Sequence, residues 1–142
     1  MVGSPFQTTD NIIKDIRFLQ EIKPEMIGIG PFITHENTPF KNEKNGSPSL
    51  TVRLIAILRL LFPKALIPAT TALFSLDSNL AKKALLAGAN VIMPNITPKK
   101  YTYSYSLYNN KMIRKEKTLK KLKKEIYLTG YRFKVTKGDP KI

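Results

Sequence analysis

Apolar and polar positions alternate between two rhythms along this chain, and the switches mark its elements. Ile12, Ile13, Ile16 and Leu19 recur at three- and four-residue spacing, so Thr9 to Ile22 is expected to be a helix. Thr8 or Thr9 is available to cap it, Asp10 stands in its first turn, and Lys23-Pro24 stops it. A short apolar run with interleaved glycines follows, from Met26 through Ile27 and Ile29 to Pro31, and opens into a polar loop reaching Pro39. That run predicts a buried strand leading to a ligand-facing loop, because Gly28 and Gly30 let another backbone or a ligand come close and Pro31 cannot donate to a ladder.

The plan then repeats. Asn45-Gly46-Ser47-Pro48 signals a turn, and Leu50, Leu54, Ile57, Leu58 and Leu61 share one face of an apolar helix that Pro63 ends. Leu66 to Ala69 reads as the next strand and opens into Thr70-Thr71. A helix from about Ser78 through Leu86, with Gly88 as its C-cap, leads to a further strand, Asn90 to Met93, which opens into Pro94-Asn95. Short apolar strands ending in small polar residues, each preceded by a helix, are the pattern of a parallel α/β architecture, either a βα barrel or a doubly wound sheet. Ligands in such folds sit at the C-terminal ends of the strands. The opening Met1-Val2-Gly3 reads as the last residues of another strand, which points to a fold whose beginning lies elsewhere.

Beyond Pro98 the rhythm changes. Tyr101, Tyr103, Tyr105 and Tyr108 alternate with polar residues, and Leu119, Leu122, Ile126 and Tyr127 mark an apolar stripe on a lysine-coated helix, Thr118 to Thr129, ended by Gly130. The division expected is a body over 1–108 and a basic helix and tail over 109–142.

Composition narrows the chemistry. With 142 residues, 42% of them hydrophobic, the chain can bury a core as one domain. It contains no cysteine, which excludes disulfides, thiolate metal sites and a cysteine nucleophile within it. No run approaches the roughly 20 apolar residues of a membrane span and no signal-peptide pattern opens the chain, so a cytoplasmic location is expected. The net charge of +14 is unevenly spread: Met1 to Pro98 carries ten basic and seven acidic residues, Lys99 to Ile142 fourteen and three. A lysine-rich tail with only two arginines, Arg114 and Arg132, and no nucleic-acid motif is better read as a solvated face than as a phosphate-binding surface. His35, the only histidine, cannot build a metal site alone and reads as a loop residue with a solvent or capping contact. Asp10, Glu36 and Asp77 show no paired-carboxylate spacing, and no glycine-rich phosphate loop is present.

Four stretches carry a resemblance: Met1 to Thr8, Met26 to Pro39, Ile67 to Ala72, and Gly88 to Pro98. In order and spacing they resemble the C-terminal half of the HydE-type radical S-adenosylmethionine enzymes, the biotin-synthase-like group that helps mature the iron-only hydrogenase. The resemblance covers the chain to about Tyr108. It implies the second half of a (β/α)8 barrel, with the stub of strand five followed by strands six to eight. It also implies that Met26, Pro31 and Ile33 lie beside the adenosine of S-adenosylmethionine, that Thr70 and Thr71 hold the carboxylate of a small substrate, and that Met93 faces the same cavity. The 4Fe-4S cluster of the family is held by a Cys-x-x-x-Cys-x-x-Cys loop that this sequence lacks, so the chain alone is expected to bind no cluster and to be inactive. Its expected partner is the N-terminal half of the barrel. Self-association into a complete barrel is a second expectation. The alternative is a stand-alone basic module that contacts RNA or an acidic partner through its lysine-rich helix.

Overall fold

The structure is a computed structural model that describes residues 1–93, 98, 101, 123, 124, 126–136 and 139. Within these, four helices are laid out in sequence: α1, Thr9–Ile22; α2, Pro48–Leu61; α3, Thr71–Leu76; and α4, Ser78–Leu86. Most of the lysine-rich tail, Tyr103, Tyr105 and Tyr108, and the boundary at 108 lie outside the described residues, although Lys123, Lys124, Ile126 and Tyr127 are helical and Ile126 is buried.

The helix ends follow from local chemistry. Thr8 caps α1 through a reciprocal pair in which its backbone N–H donates to Asn11 Oδ1 at 2.8 Å while its hydroxyl accepts from the Asn11 N–H at 3.3 Å. Ser47 caps α2 by accepting from the Leu50 N–H, which places Pro48 at the first helical position, where its missing donor costs nothing. The sequence reading had put Pro48 in the turn. Asp77 both ends α3 and caps α4, its carboxylate accepting from the Asn79 and Leu80 N–H groups at 2.8 and 3.0 Å. The C-cap of α4 is Ala87 rather than Gly88, which follows at φ +124°.

The face α2 buries also differs from the expectation. Thr51, Leu54, Ile55 and Leu58 are buried, while Ile57 and Leu61 are exposed. A helix this apolar all round gives no clear stripe to read, so packing decides. Thr51 can be inside because its hydroxyl donates to the Ser47 carbonyl at 2.9 Å.

Between the helices run four extended segments that pair in parallel through single bridges: Val2 with Pro31, Met26 with Leu66, and Pro68 with Val91. Among the described residues no ladder of strand length forms, so the expected strands exist as one-bridge contacts. They are tied by the hydrogen bonds Val2 N–H to Gly30 carbonyl, Phe32 N–H to Val2 carbonyl, Ile27 N–H to Leu66 carbonyl and Ala69 N–H to Val91 carbonyl, all 2.8–2.9 Å. Asn90 adds a side-chain stitch, accepting from the Ile67 N–H at 2.8 Å and donating to the Ala65 carbonyl at 3.3 Å.

One core joins these layers. Ile27, Ile67 and Ala69 from the extended segments meet Ile55 and Leu58 of α2, Leu73 of α3, and Ala84 and Leu85 of α4, with Ile16 and Leu19 of α1 and Ile92 packed against them. Successive side chains of an extended chain point to opposite faces. With Ile27, Ile29, Ile67, Ala69 and Ile92 directed toward the helices, Met26, Gly28, Gly30, Thr70 and Met93 belong to the other face.

Candidate functional site at the segment ends

Parallel pairing makes the four segments leave at the same edge. The loop after Val2, the loop after Pro31, the Ala69-Thr70 junction and Ile92-Met93 are therefore gathered there. Hydrogen bonds order the first two. Gln7 accepts from the Gly3 N–H at 2.7 Å and donates to the Met1 carbonyl at 3.0 Å, and Asn45 Oδ1 accepts from the Thr34 N–H at 2.9 Å. His35 makes a local contact, its Nδ1 accepting from the Asn37 N–H at 3.1 Å, which is the capping contact of the two uses, solvent or capping, that the sequence left open.

The residues singled out from the sequence fall into two groups. Met26 and Met93 are about half exposed on the face away from the core, and Thr70 shares that face. Pro31 is buried and paired with Val2, and Ile33, half-buried, follows it in the same register. Thr71 opens α3 and is exposed, its carbonyl accepting from the Ser75 hydroxyl at 3.0 Å. Thr70 precedes α3 as its N-cap residue but makes no side-chain cap bond. Its Oγ1 is buried and has no hydrogen-bond partner among the described residues.

Gly30, on the adjoining segment, is the residue whose importance the sequence left vague. A β-carbon there would stand 2.8 Å from Thr70 Oγ1. The signal was present in the interleaved glycines, but only the fold says which neighbour they serve. A separate cavity of about 90 Å3 lies between α1 and the first segments, lined by Ile12, Ile16, Leu19, Ile29, Leu54 and Leu58 among others, and contains none of the expected site residues. Among the described residues no three or more His, Asp or Glu side chains cluster as a metal site would need. No helix of the described residues is long and apolar enough to cross a membrane.

Comparison with known proteins gives relatives that the chain matches over part of their length. No family model matches the chain. It is 47% identical over 112 residues, 79% of its length, to the [FeFe] hydrogenase maturase subunit HydE of Thermotoga maritima, of which it covers 32%. It is 37% identical over 91 residues to the 3-methylornithine synthase of Methanosarcina acetivorans, covering 64% of this chain and 25% of that one. With the biotin synthase of Burkholderia thailandensis it shares 34% identity over 67 residues, 47% of this chain and 20% of that protein. The chain is thus similar to enzymes of the radical S-adenosylmethionine class, relatives that imply a TIM-barrel family with S-adenosylmethionine and 4Fe-4S cofactors in its full-length members. Within that class it is related to the HydE type. The chain spans about a third or less of the length of these three relatives.

The residues present do not fit the cluster, since no cysteine thiolate is available to hold iron. They offer more to the organic groups, with an apolar Met26 and the unpartnered Thr70 hydroxyl.

Proposed function

We propose that this chain is the C-terminal part of a HydE-type radical S-adenosylmethionine barrel, contributing one wall of the adenosine and substrate sites while the cluster-binding cysteines belong to another part of the enzyme. Support comes from the identity to HydE and from the succession of helix and parallel segment, each segment pairing with the next in chain order as neighbouring barrel strands do. The observation that carries the site is the buried, unpartnered Thr70 hydroxyl at the common edge of the segments. A buried hydroxyl without a partner is costly, so its retention is explained by a ligand that supplies one.

In this reading Met26 packs an apolar surface against the adenosine, and Pro31 and Ile33 set the path of the loop beside it. Thr70 and Thr71 face a small carboxylate, Thr70 through its hydroxyl, and Met93 closes the cavity with an adaptable thioether wall. The cofactor, when bound, supplies radical chemistry; the residues here bind and orient. The lysine-rich region behind the nucleic-acid alternative lies mostly outside the described residues.

The test uses two parts. The chain incubated anaerobically with iron, sulfide, reductant and S-adenosylmethionine should give no 5′-deoxyadenosine above a protein-free control. Adding a polypeptide that carries the three-cysteine loop should restore it. Nucleoside from the chain alone would overturn the proposal. In the restored enzyme, replacing Thr70 and Thr71 together by valine should weaken substrate binding by about 1–3 kcal/mol while substrate-free cleavage survives. Equal loss of both would make the pair structural.

A further inference from the structure

Gly30 does not owe its identity to backbone conformation. The described glycines with positive φ are Gly3, Gly88 and Gly130, and Gly30 is not among them, so an L-residue could adopt its backbone. What Gly30 provides is room. A β-carbon at this position would lie 2.8 Å from Thr70 Oγ1, 3.5 Å from Thr70 Cβ and 3.7 Å from Ala72 Cβ. Two of these are ordinary contacts. The third is not, and it falls on the one buried side-chain oxygen of the site that has no partner among the described residues.

Resting on the carboxylate reading above, we propose that Gly30 is a positioning residue for the substrate subsite, its missing side chain holding open the space in which the Thr70 hydroxyl meets a small carboxylate. The clash concerns a single rotatable group, so the relief nearest to hand is a turn about χ1 of Thr70 that swings the hydroxyl out of place and leaves the backbone where it was. A change at Gly30 should thus act on ligand binding through Thr70 and only weakly on folding. Gly28, two residues earlier on the same face, supplies the contrast, because no described atom lies within 4 Å of the β-carbon it lacks. Valine would fill the place of Thr70 with nearly the same shape and no unpaired oxygen. A hydroxyl kept there together with a glycine opposite is an arrangement for a ligand, not for packing.

The experiment titrates the full chain with sodium acetate as probe, following broadening of the acetate methyl signal by NMR, with sodium chloride as ionic control and thermal melting to check the fold. Wild type should show saturable acetate binding, and Gly28→Ala should match it within about twofold, the scatter of a neutral substitution. Gly30→Ala should weaken binding about tenfold or more, the loss of one hydrogen bond to a charged group, with its melting transition retained. The double variant Gly30→Ala with Thr70→Ala, which lacks the oxygen in conflict, should keep the wild-type fold and bind acetate no more weakly than Gly30→Ala alone, since both changes remove the same hydroxyl contact; a further loss in the double variant would overturn the proposal. If wild type shows no saturable binding, the carboxylate reading and the inference fall together. If wild type binds and Gly30→Ala binds equally well, the role of Gly30 alone is overturned. Should Gly30→Ala fail to fold, the double variant is read in its place, and its failure to fold would put the conflict in the backbone and overturn the proposal.

Discussion

The residue that most constrains the helix side of the molecule is Arg59. Its Nε donates to the Gly88 carbonyl at 2.9 Å and its Nη1 to the carbonyls of Phe62 and Pro63 at 3.1 and 2.9 Å, so one guanidinium satisfies the end of α2 and ties it to the loop after α4. Burial lowers the Arg59 pKa from its ordinary value, opposed only by the phenolate form of Tyr131, and the guanidinium remains a cation at neutral pH. Gly88 allows this contact twice over. Its φ of +124° is disfavoured for any L-residue, and a β-carbon would come within 2.5 Å of Arg59 Cβ. Gly88→Ala should therefore destabilise the chain by about 1–3 kcal/mol, read as a lower denaturant midpoint with an unchanged slope. Arg59→Met should cost a similar amount, about 1–3 kcal/mol, by leaving three carbonyls without their donor. A midpoint unmoved in both variants would show that the tie contributes nothing. Gly88 was legible in the sequence as a helix stop. Arg59 was not, because its partners lie in two separate loops and no spacing announces them.

At the level of elements, legibility followed the strength of the local signal. Helix α1 was placed to the residue because its stripe and its caps agree, and α4 because its apolar pattern and the glycine after it are clear, whereas the capping role of Asp77 emerged only from the structure. Helix α3 was missed. Its six residues are too few to show a period, and Thr70-Thr71 reads equally well as a strand end or a helix start. The extended segments were found by their apolar runs, but their pairing through single bridges is a tertiary outcome that propensity does not encode. The caps offer a direct check on the strongest local signal. Thr8→Ala removes the hydroxyl half of the reciprocal pair with Asn11, leaving the backbone N–H to Asn11 Oδ1, and should destabilise α1 by about 1 kcal/mol. Since α1 buries none of its residues fully, the loss should appear first as faster hydrogen exchange in its opening turns, while α2 and α4 keep their protection. Uniform loss across all helices would mean that α1 is locked to the core more tightly than its burial indicates.

For the molecule as a whole, the unequal treatment of its two faces decides the behaviour. The helix-covered face holds Ile27, Ile55, Leu58, Ile67 and Leu73 in one cluster, whereas on the other Met26 is 49% and Met93 55% exposed. Helix α1 adds Ile13, Phe18 and Ile22, all exposed. The sequence made the first face legible through its periodicity. It left the second unreadable, because residues that line a cavity and residues that face water can both be sparse, small or flexible. Sheet segments covered on both faces are the rule for parallel pairing, and an uncovered apolar face with unpaired edges is a surface for association. The isolated chain should consequently self-associate or bind a hydrophobic dye, and the signal should fall when a polypeptide carrying the remainder of a HydE-type barrel is added. The fall separates the two ways of covering the face. Self-association into a closed pair would give a defined dimer whose dye binding is already low and is unmoved by the added polypeptide. A monodisperse monomer that melts cooperatively and binds no dye would remove the basis for both, since such a chain would have no face in need of a partner.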